Sequence, residues 1–173
     1  MREILFRAKA INRNKGYHRT KYKNGDWVYG LLTKLYDEQF ENLPAEMTNE
    51  YGVSGIEIDH KSIGQYTGLT DKNGKKIFEG DILKVKVQEY KDKIEFVWGE
   101  MRTNRVFTGK FRKELWTVEY KEHFCKGNGF YGYGKNRRFH ISLTKSTLSN
   151  VNAEIIGNIH DNPELLKGAN DDA

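Results

Sequence analysis

The run Ser62 to Val87, SIGQYTGLTDKNGKKIFEGDILKVKV, narrows the choice of fold more than any other in the chain. Ile63 to Thr70 reads as a short strand, Asn73-Gly74 offers the two positive-φ residues that a type I′ hairpin turn needs, and Lys75 opens the returning strand. Glu79-Gly80-Asp81 reads as a tight turn. Beyond it Leu83, Val85 and Val87 alternate with Lys84 and Lys86, which puts apolar side chains on one face and ammonium groups in water on the other. A hairpin leading into a half-buried strand belongs to a small antiparallel sheet or barrel. It specifies a fold and no chemistry.

The remaining segments read the same way. Glu3 to Ala10 alternates as a strand, Ile11 to Asn24 is a long loop rich in Asn, Gly and base, and Trp27 to Leu32 is a strand pairing back, which together predict a ribbon with a basic tip. Tyr36 to Glu50 holds Phe40, Leu43 and Met47 at helical spacing, but Pro44 interrupts them, so a short helix or an acidic loop is expected. Strands are expected within Tyr51–His60, Lys93–Trp98, Asn104–Phe111, Leu115–Tyr120, Arg137–Leu143 and Ala153–Ile159. Asn162 as N-cap, Pro163 at the first helical position and Gly168 past the end bracket a helix of one or two turns.

At 173 residues the chain can bury a real core, roughly 70% of its unfolded surface. Its hydrophobic content is only 37%, so the 13% of aromatic residues must supply much of that area. A single cysteine, Cys125, excludes an internal disulfide and fits a reducing cytoplasm. No apolar run resembles a signal peptide or reaches the roughly 18 residues of a membrane span, so no membrane association is expected. The net charge of +5 is unevenly spread. Arg7, Lys9, Arg13, Lys15, Arg19, Lys21 and Lys23 form a block without acid, and Asp37, Glu38, Glu41, Glu46, Glu50, Glu57 and Asp59 a block without base. The two can answer each other within a subunit or across an interface. From Lys84 to Lys145 there are 15 basic and 7 acidic residues, so the positive excess lies in the C-terminal half.

Thr67 to Val85, TGLTDKNGKKIFEGDILKV, resembles the signature of the YopX-like phage proteins. MREILFRAKA and GDWVYG near the N-terminus are similar to the opening strand and hairpin of that family, and EIIGNIHDNPELL to its closing segment, so three ordered matches run from Met1 to Leu166. The resemblance implies a mostly β fold containing an SH3-like barrel, a tendency to self-associate, and no established activity from which catalytic residues can be carried over. The expected architecture is therefore all-β, or mainly β. It comprises an N-terminal β ribbon and acidic connector over 1–60, an SH3-like barrel core over 61–166 that includes the short C-terminal helix, and a frayed tail over 167–173.

Two segments combine rings with cations in the way that single-stranded nucleic acid is held. One is Arg13, Lys15, Tyr17, Arg19, Lys21, Tyr22 and Lys23 in the first loop, for which the competing reading is a solvated tip answered by the acidic block. The other is Lys126, Phe130, Tyr131, Tyr133, Lys135, Arg137 and Arg138, for which it is a glycine-rich turn whose rings pack on the sheet. Gly127-Asn128-Gly129-Phe130-Tyr131-Gly132 spells GxGxxG, but a dinucleotide site needs a helix to follow and Arg137 onward reads as strand, so no cofactor is expected. His123, Cys125 and His140 invite a cysteine hydrolase or a zinc site; neither CxxC nor HxxxH spacing supports them, so no metal is assigned. Glu79 and Asp81, on either side of Gly80, fit backbone-amide acceptors better than an acid–base pair, and Asn158, His160 and Asp161 fall in the closing turn. The function expected is that of a non-enzymatic interaction protein, a homo-oligomer with an unidentified protein partner. A nucleic-acid-binding role through the two ring-and-cation segments is the alternative.

Overall fold

The computed structural model describes residues 3–11, 22–35, 45–97, 100–121, 129–134 and 140–167, and of these the backbone alone at 90, 92–97, 100–107 and 140. The chain is mainly β. Strands β1 (Phe6–Lys9), β2 (Trp27–Lys34), β3 (Ala45–Asn49), β4 (Ile56–Ile58), β5 (Gly64–Thr70) and β6 (Lys76–Phe78) form one antiparallel sheet in the order β4-β3-β2-β1-β5-β6. A second sheet takes β7 (Asp81–Val97), β8 (Glu100–Lys121), β9 (Gly129–Gly134), β10 (His140–Ser142) and β11 (Glu154–Asn158) in the order β10-β9-β8-β7-β11. Helices α1 (Lys145–Asn150) and α2 (Glu164–Lys167) are short. The sheets stay open and do not close into the expected barrel, because the turn at Glu79-Gly80, with Gly80 at φ +81°, sends the chain out of the first sheet into the second.

The expected ribbon is present, with Phe6 to Lys9 opposite Gly30 to Trp27, but it is part of a larger sheet. β1 also pairs with β5, so the boundary expected at residue 60 runs within one hydrogen-bonded sheet. Ala45–Asn49 is a strand in place of the helix or loop anticipated there, since Ala45, Met47 and Asn49 alternate as its buried set. Each sheet has its own core. Ala8, Val28, Met47, Ile56 and Ile58 fill the first, and Leu83, Val85, Trp116, Val118, Phe130 and Leu148 the second. Ile77 of β6 is wholly buried in the second core although β6 is hydrogen-bonded to the first sheet, so the central hairpin staples the two layers.

The turn of that hairpin differs from expectation. Gly74 alone of the Asn73-Gly74 pair has positive φ, the Gly74 amide donates to the Asp71 carbonyl, and Asp71 and Lys75 close the loop, which makes a type I turn with a glycine bulge. Asp71 explains the choice. Its buried carboxylate accepts from the amides of Asn73 at 2.8 Å and Lys75 at 2.9 Å, fixing the type I geometry, and from Ile155 of β11 at 3.1 Å, which docks the tip on the second sheet. Burial raises the pKa of this carboxyl, but the three amides and the Lys75 charge outweigh it and the net shift is downward.

The two strands expected at Asn104–Phe111 and Leu115–Tyr120 are one, and Leu83–Val87 likewise runs on into 93–97. β7 and β8 have 17 and 22 residues, far beyond an ordinary strand of about five or six. β11 pairs with β7 only as far as Lys84 and β9 with β8 only from Trp116 to Lys121. Outward from Val87 the ribbon is two-stranded among the described residues and roughly 35 Å long. Gly109, at φ +79°, forms a bulge near its base, where the Thr108 hydroxyl donates to the Glu89 carbonyl.

Candidate functional site

The densest polar cluster lies where the sheets meet. On β1 the burial order is intermediate, buried, buried, intermediate, so Arg7 is enclosed beside Ala8 although alternation assigns it to the solvent side. Its guanidinium donates to Asp81 Oδ1 at 2.7 Å and to the Glu79 carbonyl at 3.2 Å, and lies over the Trp27 and Phe78 rings at 4.8 and 5.0 Å. Asp81 Oδ2 accepts the Phe78 amide at 2.8 Å. Burial pushes the Asp81 carboxyl up, against the pull of Arg7 and that amide.

One step along β1, Lys9 pairs with Asp161. Trp27 Nε1 and Asn158 Nδ2 donate to the other Asp161 oxygen at 2.7 and 2.8 Å, and Asn158 Oδ1 accepts the amides of His160 and Asp161, both at 2.9 Å. Burial opposes ionisation of Asp161, but the bonds from Asn158, Lys9 and Trp27, with the Lys9 charge, win and lower it to about 2. His160 packs edge-on against Trp27 at 6.0 Å, and burial followed by the Lys9 and Arg7 charges lowers its pKa, so the imidazole is neutral at pH 7. Arg7, Lys9, Trp27, Asp81, Asn158 and Asp161 each answer another group. It is a clamp between the sheets.

A cleft of about 580 Å³ opens beside the clamp, between the Glu79-Gly80 turn, the β8–β9 face and the segment from Ile159 to Leu166. Lys61, Glu79, Glu119, Tyr133 and His160 line it with Leu115 and Val118. Glu79 Oε1 already accepts the Tyr120 amide at 3.1 Å. Glu79 and Asp81 thus both bind backbone amides, as their positions in a turn suggest.

Few of the sequence-derived candidates fall among the described residues. Arg13, Lys15, Tyr17, Arg19, Lys21, Lys126, Lys135, Arg137 and Arg138 lie outside the described residues, as do His123 and Cys125. Tyr22 packs on the first core and its hydroxyl accepts Asn49 Nδ2 at 3.2 Å, while Lys23 is exposed. Phe130 and Tyr131 are 6% and 2% exposed, so these rings are sheet packing and present no face to a base; Tyr133 lines the cleft. Gly129–Gly134 is strand β9 paired with β8, so no helix starts where a dinucleotide fingerprint requires one. Among the described residues, the basic block spends Arg7 and Lys9 on Asp81 and Asp161, outside the acidic block. Sequence reading missed the clamp because its partners are distant in sequence, yet all fall in the three stretches that carried the resemblance: Arg7 and Lys9 in the first strand, Trp27 in GDWVYG, Asp81 in EGD, and Asn158, His160 and Asp161 in GNIHD.

A sequence profile described as YopX protein matches residues 5–167. The chain belongs to the YopX family. No match is found among curated proteins. Of solved structures, the crystal structure of protein EF1440 from Enterococcus faecalis is similar at 23% identity over 96% of this chain and 99% of that one, with a TM-score of 0.49. The three stretches that carried the resemblance meet at one joint, the clamp between the sheets.

Proposed function

We propose that this YopX chain is a phage- or prophage-encoded, non-enzymatic interaction protein that acts as a homo-oligomer in the bacterial cytoplasm. The observation that carries the reading is the β7–β8 arm, a two-stranded ribbon continuing well past its flanking strands. Two strands alone are marginally stable in water, so an arm of this length is suited to a partner surface. The clamp and the cleft's Glu79 support the non-enzymatic part, since Arg7, Lys9, Asp81, Asp161 and Glu79 are engaged with one another or with backbone amides. No helix among the described residues is long and apolar enough to cross a membrane. Light scattering at tens of micromolar tests the reading: a mass of two or more chains is expected, and a strict monomer overturns it.

Nucleic-acid binding is the second reading. It is favoured by Lys84, Lys86 and Lys113, all exposed on the solvent face of the second sheet, with Lys86 directly opposite Lys113. Like charges so placed repel each other unless an anion answers them. Anisotropy titration of labelled single-stranded DNA, duplex DNA and RNA at several salt concentrations tests it; absence of binding at low salt removes it.

A further inference from the structure

The outer face of the second sheet carries a row of side chains that leads out of the cleft. Trp116 and Val118 of β8 are buried in the core, so Phe111, Lys113, Leu115, Thr117 and Glu119 belong to the opposite face. The register is unbroken from Ile82 opposite Thr117 to Gln88 opposite Phe111, and Thr117 also stands opposite Tyr133 of β9. Leu115, Thr117, Glu119 and Tyr133 line the cleft of about 580 Å³. Leu115 is directly opposite Lys84, and the next pairs outward on this face are Lys86 with Lys113 and Gln88 with Phe111. The three lysines are exposed, and Phe111 is 56% exposed. From Phe111 to Thr117 the row spans about 20 Å at the rise of an extended strand. Its two ends differ in charge. Glu119 and Glu79 stand at the cleft end, Glu119 beside Lys121 at 3.5 Å and Glu79 on the Tyr120 amide at 3.1 Å. At the other end the neighbours of Lys86 and Lys113 along this face are Lys84, Leu115, Gln88 and Phe111, none of them acidic. Glu154 stands opposite Lys84 but is bound to Lys72 at 2.7 Å. The lysines thus attract an anion, while the carboxylates turn it away from the cleft, which offers Tyr133, Leu115 and Thr117 to an uncharged group.

We infer that this row holds single-stranded nucleic acid, with phosphates on Lys84, Lys86 and Lys113 and bases against Phe111 at one end and in the cleft beside Tyr133 at the other. The inference rests on the nucleic-acid reading above and gives it a site and a strand state. Three features select a single strand. A chain of phosphates relieves the repulsion between Lys86 and Lys113, which stand directly opposite each other. Rings on either side of the cations stack on bases that are free of a duplex, since paired bases already stack on one another. A span of about 20 Å fits roughly four nucleotides, the low end of the site sizes of folds that hold single strands.

The test titrates the full chain into labelled oligo(dT) of about 12 nucleotides and into a duplex of the same length, following anisotropy at several salt concentrations. The single strand binds at least about tenfold more tightly than the duplex. In Lys86→Ala/Lys113→Ala binding weakens and the slope of log affinity against log salt falls in magnitude by about 1.4, since each phosphate contact on a single strand contributes about 0.7. Phe111→Leu and Tyr133→Leu keep apolar bulk and lose the ring, so each weakens binding about fivefold or more with the slope unchanged. Retained thermal transitions show that the variants are folded, and the exposed positions 86, 111 and 113 permit it. A wild type that binds while the lysine variant keeps its slope, while either ring variant keeps its affinity, or while the duplex binds as tightly, overturns this site and leaves the nucleic-acid reading standing. A wild type that binds no nucleic acid at low salt overturns both.

Discussion

Replacing Arg7 by Met strands a carboxylate. The side chains of Arg7 and Asp81 are 8% and 2% exposed, so neither charge has water to fall back on. Asp81 would keep the Phe78 amide on Oδ2 and lose the 2.7 Å partner on Oδ1, and the guanidinium contacts with the Trp27 and Phe78 rings would go too. Breaking one half of a buried pair costs about 3–5 kcal/mol, a large share of the roughly 5–15 kcal/mol that holds a domain folded. In a domain of this size that lowers the melting temperature by about 8–16 °C at pH 7, read by calorimetry or circular dichroism. The penalty also titrates. Burial already raises the Asp81 carboxyl, and without Arg7 it rises further, so the destabilisation is complete above the folded pKa and is relieved as pH falls through it. The deficit of Arg7→Met against wild type should therefore shrink in mild acid. Adding Asp81→Asn removes the stranded charge, leaves an oxygen for the Phe78 amide, and should make the double variant more stable than Arg7→Met. A shift below about 3 °C for Arg7→Met, or a double variant less stable than the single, refutes the view that an unpaired buried charge sets the cost.

Two further outcomes follow from the same geometry. Asp71→Ala takes the acceptor from the amides of Asn73, Lys75 and Ile155 and should cost about 2–3 kcal/mol in urea unfolding, with less than about 1 kcal/mol counting against the docked-hairpin account. Asp161, lowered to about 2, contributes stability that is present above its unfolded value near 3.8 and lost as pH falls toward 2. With the side chain 37% exposed that contribution is about 1 kcal/mol after solvent screening, so Asp161→Asn should narrow its gap from wild type across that window, and a gap independent of pH removes the assignment.

Where a residue's fate depended on near neighbours, sequence predicted it. The alternation of Leu83, Val85 and Val87 with Lys84 and Lys86 reappears as burial and exposure, and the ribbon of β1 with β2 pairs as its pattern implies. Asn73-Gly74 suggested a type I′ turn because the carboxylate two residues upstream was not weighed; Asp71 binds both amides of a type I loop and so decides it. Phe40, Leu43 and Met47 suggested helical spacing, but Met47 is fixed by the strand alternation of Ala45–Asn49. Strand patterning predicts pairs of short strands where β7 and β8 run on unbroken, since charged stretches such as Arg112 to Glu114 end a strand only where a core requires apolar residues, and a ribbon in solvent requires none. Arg7 could not be placed at all. Its buried partner is 74 positions away, and a charge on an alternating strand reads as solvent-facing until that partner is known.

The position of the recognisable motifs bears on where function resides. Arg7, Trp27, Asp81, Asn158 and Asp161 satisfy one another so fully that substituting any of them acts first on the joint between sheets and only through it on anything else. These residues therefore describe how the two sheets are fastened and say little about what the molecule touches. Specificity has to come from groups that folding leaves uncommitted. Among the described residues those include Lys86 and Lys113, exposed and directly opposite each other on the second sheet.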